Sequence, residues 1–109
     1  MTSKKDPDRK RGFLPRVSDY TKDFIKDWTR LNHSGRYDLA RLKEAMLLLI
    51  ANDAPLGPEW KDHSLTGDWL DHRECHVGGD FLLIYLLANR GTIQSVVFVR
   101  AGTHADLFE

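Results

Sequence analysis

The stretch WLDHRECHVGGDFLLIYLLANRGTIQSVVFVRAGTHADLF, residues 69–108, decides the fold of this 109-residue chain. It divides into three runs, at 69–77, 80–88 and 92–100, which are separated by Gly78-Gly79 and by Asn89-Arg90-Gly91. Runs of this length between glycine-containing turns predict three consecutive antiparallel strands. The middle run is apolar on both faces, which is typical of a central strand. A short helix is expected to close the stretch.

Two histidine-bearing segments, 71–76 and 100–104, lie at the ends of these strands. If the first strand runs out, the second returns and the third runs out again, the ends near His76 and His104 lie toward the same edge of the sheet. We therefore expect histidines, Arg100 and Asp80 to converge on one concave face. Such a set suits acid-base chemistry on a phosphate.

Upstream of the strands, the apolar residues recur with the period of a helix. The first helix is expected to begin with Ser18 or Thr21 as its N-cap and to end before 32–35, and the second spans about 38–52. A short connection between them predicts an antiparallel two-helix hairpin. The apolar positions are Tyr20, Phe24, Trp28 and Leu31 in the first helix, and Leu39, Leu42, Met46, Leu49 and Ile50 in the second. Trp28 and Met46 are most simply core residues.

The remaining segments are a long connection and a short N-terminal strand. Residues 54–58 break the second helix and start a connection that continues to 68, which Trp60, His63 and Leu65 indicate to be ordered. Residues 13–17 are expected to form an edge strand, because Pro15 cannot donate to a ladder. The sequence therefore predicts an α+β fold, in which a small antiparallel sheet is flanked by the N-terminal two-helix hairpin and by a short C-terminal helix.

Charge is spread unevenly along the chain, although its net value is zero. Residues 1–12 hold five basic and two acidic side chains, a net charge of +3, which leaves −3 on residues 13–109. We expect 1–12 to be a flexible basic arm and 13–109 to be a single domain. The negative charge of the domain argues against a general nucleic-acid binder, so any role on RNA needs a local patch or a guiding partner.

The sequence also indicates a cytoplasmic protein. Cys75 is the single cysteine, which excludes an internal disulfide and fits a reducing compartment. The longest apolar run, 81–88, is far shorter than the ~20 residues that span a bilayer. The charged N-terminal residues lead into no apolar signal core, so we expect neither membrane insertion nor secretion.

A metal site is one interpretation of the segment around His76. His72, Glu74 and His76 share one face of a regular strand, while Arg73 and Cys75 share the other, and Cys75 and Val77 should then face the core. Residues four apart on a strand are ~13 Å apart at Cα, which is too far for both imidazoles to reach one zinc ion at ~2.1 Å. For His72, a solvent-facing position is a simpler interpretation than a functional role. For His76, which adjoins the Gly78-Gly79 turn, the sequence favours neither of these two interpretations.

Two further histidines stand in contexts that allow a functional role. His63 lies in a loop with charges of both signs, where a histidine is usually a surface residue. His104 follows Arg100, Gly102 and Thr103, and Thr103 can cap the terminal helix. A helix N-terminus beside an arginine is a ready anion site, although a capped helix with Arg100 in a surface ion pair would look the same.

Four motifs with fixed spacing run through the second half of the chain. They are Lys61-Asp62-His63-x-Leu65-x-Gly67-x-Trp69, Arg73-x-x-His76-Val77, Asp80-Phe81-x-Leu83-Ile84-Tyr85 and Arg100-x-Gly102-Thr103-His104-x-x-Leu107-Phe108. Together they closely resemble the YafQ branch of the RelE-like bacterial toxins. The resemblance covers about half of the chain by motif and the rest by the order of the elements.

The resemblance implies a ribosome-dependent endoribonuclease that cuts mRNA and is neutralised by a cognate antitoxin in a type II toxin-antitoxin system. It implies no metal, no small-molecule cofactor and no membrane partner. This chain departs from the family in its basic arm, its non-basic domain, and a phenylalanine where the branch often has tryptophan after the aspartate. The catalytic residues it implies are His63, His76, Asp80, Arg100 and His104, and the RNA-binding residues are Lys61, Phe81 and Phe108.

Cleavage of RNA at its own 2′-hydroxyl requires a base, an acid and a cation, and no metal. Each positioned acid or base contributes a factor of ~10² to 10⁴ in rate. We expect His104 to protonate the 5′-oxygen, His76 with Asp80 near it to act as base, and His63 to position the substrate or act as an alternate acid-base residue. The roles of the histidines can be exchanged. The fork of Arg100 suits the phosphate oxygens, and an aromatic ring can stack on a splayed base.

Two alternatives from other classes remain open at this point. A catalytically silent RNA- or protein-binding module on the same fold predicts that His76 and His104 do not come within reach of one phosphate. A metal-dependent enzyme that uses His72, Glu74 and His76 predicts a stoichiometric metal and loss of activity with a chelator.

Overall fold

The computed structural model describes residues 14–108. The expected basic arm at 1–12 lies outside the described residues, as does position 13 of the expected N-terminal strand. The elements are β1 Val17–Tyr20, α1 Lys22–Ser34, α2 Leu39–Ala51, β2 His63–Ser64, β3 Arg73–Gly78, β4 Phe81–Arg90, β5 Ile93–Gly102 and α3 His104–Phe108, with single-turn helices at Pro58–Trp60 and Gly67–Trp69.

Both long helices start and stop at capping residues. The side chain of Thr21, and not that of Ser18, caps α1 by accepting the N–H of Phe24 at 3.0 Å. Asp38 caps α2 in the same way. The first helix runs three residues beyond its predicted end, because polar residues extend it until Gly35 takes a φ of 67°. Glycine adopts this left-handed conformation without the steric cost that other residues meet.

The ends of the strands differ from those predicted. β3 begins at Arg73 rather than at 69, because residues 67–69 form a helical turn and Asp71 has a φ of 72°. β4 runs two residues further than predicted and β5 begins one residue later, so the turn between them is Gly91-Thr92 instead of 89–91. At its other end, β5 runs two residues further than predicted. The edge strand expected at 13–17 lies at 17–20 and pairs with β5 in parallel. The sheet is therefore mostly, and not wholly, antiparallel.

The sheet has the strand order β1-β5-β4-β3-β2 and is covered differently on its two faces. The helices α1 and α2 bury the larger core, against which Trp28 and Met46 pack as predicted. On the other face, α3 and residues 65–69 cover a smaller core built on Leu82, Ile84 and Leu107. This arrangement confirms the α+β fold. Among residues 14–108, no helix has the length and apolar character that crossing a membrane requires.

Candidate active site

β3 carries polar side chains on the face of the sheet that α1 and α2 do not cover. Cys75 and Val77 are buried in the helix-side core, as predicted, and strand alternation therefore places Glu74 and His76 on the opposite face. β2 pairs with β3 so that His63 stands directly beside Glu74. The surface that we call the histidine face consists of His63, Glu74, His76, Asp80 and His104.

Glu74 is a buried carboxylate between two histidines. The residue is 3 % exposed, and its Oε2 lies 3.3 Å from Nε2 of His63 and 3.5 Å from Nε2 of His76. The Nδ1 of His63 lies 2.8 Å from the carbonyl oxygen of Lys61. A carbonyl can only accept a hydrogen bond, so this Nδ1 carries a proton and the ring is fixed in orientation. The sequence predicted that Glu74 lies on this face, but only the structure shows that its carboxylate contacts both imidazole rings.

Asp80 and His104 form a second histidine-carboxylate pair at the other end of this face. The carboxylate oxygen Oδ1 of Asp80 lies 2.5 Å from Nδ1 of His104 and accepts the backbone N–H of the same residue at 3.1 Å. The ring hydrogen bond, and then the backbone one, hold the pKa of Asp80 below its ordinary value. Asp80 was expected to serve His76, but its hydrogen bonds go to His104, because the turn before β4 brings it to the start of α3.

The three histidines form a row across the histidine face. Ring centroids are 6.0 Å apart between His63 and His76 and 6.4 Å apart between His76 and His104. This spacing puts two imidazoles within reach of one phosphate, which is the condition that a catalytically silent module would not meet. His104 is exposed, and it begins α3, where Thr103 and Asp106 cap each other reciprocally. The predicted capping role of Thr103 is thus confirmed.

Arg100 stands at the rim of this face and is bound by α1. Its Cα lies opposite Ile84 of the smaller core, so its side chain starts on the histidine face. Its Nε and Nη2 donate to the two carboxylate oxygens of Asp27, at 2.7 and 3.1 Å. This contact raises the pKa of Arg100. The arginine was expected to converge with the histidines and Asp80 on one face, and its hydrogen-bond partner within residues 14–108 is Asp27 of α1.

The two predicted stacking aromatics lie in different environments. Phe108 is 40 % exposed, and its ring lies 5.7 Å from that of His104. Phe81 is 5 % exposed and packs 5.0 Å from the ring of Tyr37 in the helix-side core. Its neighbour Leu82 belongs to the smaller core, on the same side of the sheet as the histidine face. Since adjacent residues of a strand point to opposite faces, Phe81 points away from the histidine face, and the prediction that it stacks on RNA is wrong. Lys61 is exposed beside β2.

A group able to hold a metal exists, but it is not the one that the sequence suggested. His72 is not part of this group. It precedes β3, and its Nδ1 lies 3.2 Å from the carbonyl oxygen of Leu70. The group is His63, Glu74 and His76, whose ligand atoms all lie within 4.8 Å of one another. The metal interpretation that used His72 therefore fails, because β2 brings His63, and not His72, beside Glu74 and His76. Two imidazoles and a carboxylate suit zinc or copper.

Comparison with known proteins identifies similar sequences over most of the chain. A family model described as the YafQ bacterial toxin of type II toxin-antitoxin systems matches residues 16–109. The mRNA interferase toxin YafQ of Escherichia coli strain K12 is 40 % identical over 95 residues, which are 87 % of this chain and 98 % of that protein.

Solved structures agree with the sequence comparisons. The E. coli DinJ-YafQ complex matches with a TM-score of 0.74 and 39 % identity, over 86 % of this chain and 99 % of the matched one. A metal-bound toxin from Helicobacter pylori matches with a TM-score of 0.74 and 36 % identity, over 85 % of this chain and 99 % of that one. These identities are high enough to compare sites as well as folds.

Proposed function

Because the chain belongs to the YafQ family of bacterial toxins and is an mRNA interferase, we propose that it cuts translated mRNA without a metal ion. The observation that supports this mechanism is the row of three histidines beside two carboxylates on one face of the sheet. Cleavage of RNA by acid-base catalysis needs two such groups near one phosphate, and neighbouring rings of the row stand 6.0 and 6.4 Å apart.

In the proposed reaction the substrate supplies its own nucleophile. A base takes the proton of the 2′-hydroxyl, whose oxygen attacks the adjacent phosphorus, and an acid gives a proton to the departing 5′-oxygen. The products are a 2′,3′-cyclic phosphate and a free 5′-hydroxyl. His76 acts as the base, with Glu74 beside it to stabilise the imidazolium that forms. His104 acts as the acid, held by Asp80 through Nδ1, and His63 positions the substrate.

Charged and aromatic groups around the histidines bind the RNA in this proposal. Arg100 starts on the histidine face and retains donors beyond those bound by Asp27, and these donors neutralise the phosphate oxygens. The exposed ring of Phe108, next to His104, stacks on a base. Lys61 contacts the phosphate backbone from the edge of the sheet.

The net charge of −3 on residues 13–109 supports a role for the ribosome in presenting the substrate. A domain without a positive field binds free RNA weakly, so the ribosome must hold the mRNA in place. Translated mRNA should therefore be cut far faster than the same transcript without ribosomes, and equal rates would contradict the guided mechanism. We place this action in the cytoplasm, where ribosomes translate mRNA.

We also propose that a cognate antitoxin neutralises this chain. The E. coli YafQ structure named above was solved as a complex with DinJ. An exposed catalytic face that attacks the host's own mRNA requires such a partner. Co-expression with the product of a neighbouring small reading frame should restore growth and yield a complex. A chain that no neighbouring product binds or silences would contradict this proposal.

The test of the chemistry is single-turnover cleavage on ribosomes programmed with one defined mRNA. His76→Ala and His104→Ala should each lower the rate at least ~10²-fold, because each removes a positioned acid or base. His33→Ala is the matched control. His33 is exposed at the end of α1, so this variant should cut at the rate of the wild type. Near-wild-type rates for both site variants, with the fold intact, would refute the assignment.

Metal-dependent catalysis is the second candidate, since His63, Glu74 and His76 can hold an ion and the H. pylori relative was solved with one. The two mechanisms predict opposite responses. If the imidazoles act as acid and base, zinc or copper blocks them, and a chelator selective for transition metals leaves the rate unchanged or raises it. If an ion is required, that chelator abolishes cleavage while Mg²⁺ still supports the ribosome.

A further inference from the structure

α1 completes the outer edge of β5 beyond the point where β1 ends. The pairing of β1 with β5 stops at Tyr20 and Phe98. From there, Thr21 donates its backbone N–H to the carbonyl of Phe98 at 3.0 Å and its hydroxyl to that of Val99 at 2.7 Å. Further along this edge of β5, the backbone N–H of Ala101 has no neighbouring strand to bind in the described part of the chain and donates to the carboxylate of Asp27 at 3.0 Å.

A bulge in β5 brings Arg100 to the same carboxylate. Tyr85 pairs with Phe98 and Ile84 pairs with Arg100, so Val99 is an extra residue in the ladder. Bulges of this kind redirect side chains and are common beside active sites. Past the bulge, the side chain of Arg100 leaves the strand on the histidine face, and its Nε and Nη2 donate to Asp27.

Asp27 is buried and holds one edge of the guanidinium. It is 4 % exposed, and its oxygens accept hydrogen bonds from Arg100, from Ala101 and, at 3.3 Å, from Arg30. A guanidinium has five N–H donors, and Asp27 uses two of those on Arg100. The other donors, on Nη1 and Nη2, have no hydrogen-bond partner among residues 14–108. They form the second edge of the fork, which matches two phosphate oxygens.

We propose that Asp27 is a positioning residue for cleavage, which binds the side edge of Arg100 so that its other edge is presented to the scissile phosphate. This inference rests on the proposed function of Arg100. A guanidinium bound at one edge loses little further side-chain freedom when phosphate binds the other, so the contact is preorganised.

The test is a double-mutant cycle on programmed ribosomes. Asp27→Asn has nearly the size of the native side chain but places an amide N–H₂ where an acceptor is needed. It should lower the single-turnover rate by about 10-fold or more, up to the ~10² to 10³ that complete removal of a preorganised donor costs. In an Arg100→Ala background the same change should cost nothing further, since there is no guanidinium left to position.

Two controls separate this role from a structural one. Asp23→Asn removes the same charge one turn earlier on α1, at an exposed position that acts on Arg100 only through space, and should change the rate far less than Asp27→Asn does. The free energy of unfolding of each variant shows whether the protein is folded under assay conditions. Equal losses from Asp27→Asn with and without Arg100 would overturn the proposal in favour of a structural role. A wild-type rate for Arg100→Ala would refute the function of Arg100 itself.

Discussion

Replacing Glu74 with glutamine asks whether the buried carboxylate serves the chemistry of its two histidines. The change keeps the length and shape of the side chain and removes its charge. Glu74 is 3 % exposed, with Oε2 at 3.3 Å from His63 and 3.5 Å from His76. Water screens charges poorly at such a position, so the missing charge should be felt strongly by a ring that becomes an imidazolium during the reaction.

The size of the effect follows from Coulomb's law. For charge centres about 5 Å apart at an effective dielectric constant of about 20, the attraction is about 3 kcal/mol. A glutamine oxygen still accepts a hydrogen bond and retains a fraction of this. We therefore expect Glu74→Gln to lose about 2–3 kcal/mol of transition-state stabilisation, which is a fall of roughly 30- to 150-fold in the rate of cleavage.

Single-turnover cleavage and urea denaturation together measure the two consequences of this change. Stability should stay level or rise, because a buried charge carries a desolvation cost that glutamine avoids. Glu44→Gln is the matched control, since Glu44 is exposed on α2 and pairs only with Arg41 within the described residues. A wild-type rate for Glu74→Gln, or the same loss in the control, would show that the carboxylate does not assist the reaction.

Two further predictions concern the ends of the histidine face. The pKa of Asp80, followed by NMR, should lie below 3.8 and rise toward that value in His104→Gln. The stability that this pair contributes should be complete above pH 3.8 and disappear as pH falls through the lowered pKa; no change in the variant would contradict the pairing. Phe81→Ala should cost about 3–5 kcal/mol of folding free energy, as expected for a buried aromatic, whereas Phe108→Ala should unfold like the wild type and cleave more slowly. Equal stability losses would contradict their different burial.

The parts of the fold that depend on local sequence were predictable. Thr21 and Asp38 cap helices because their short side chains reach the N–H three residues on. The alternation of Cys75 and Val77 toward the core followed from the period of a strand. The two-residue strand β2 is too short to carry such a period. For that reason the sequence could not show that His63 lies beside Glu74.

The contacts of the site that depend on distant pairing were not predictable. Asp27 and Arg100 are 73 residues apart, and nothing local to Arg100 indicates its partner. One sequence signal did exist, since Asp27 stands three residues after Phe24 and four before Leu31, on the apolar stripe of the first helix. A charged residue on a buried stripe predicts a buried ion pair. The hydrogen bonds of Asp80 to His104 could not be predicted either, because the position of α3 relative to the turn is a tertiary property.

The strand order has a consequence for when this enzyme becomes active during its own synthesis. β5 lies between β1 and β4, although it is the last of the described strands to be made. β1 therefore has no partner in the sheet, and His104 has no place beside Asp80, until residues 93–104 have left the ribosome. A nascent chain that still lacks them cannot assemble the row of histidines.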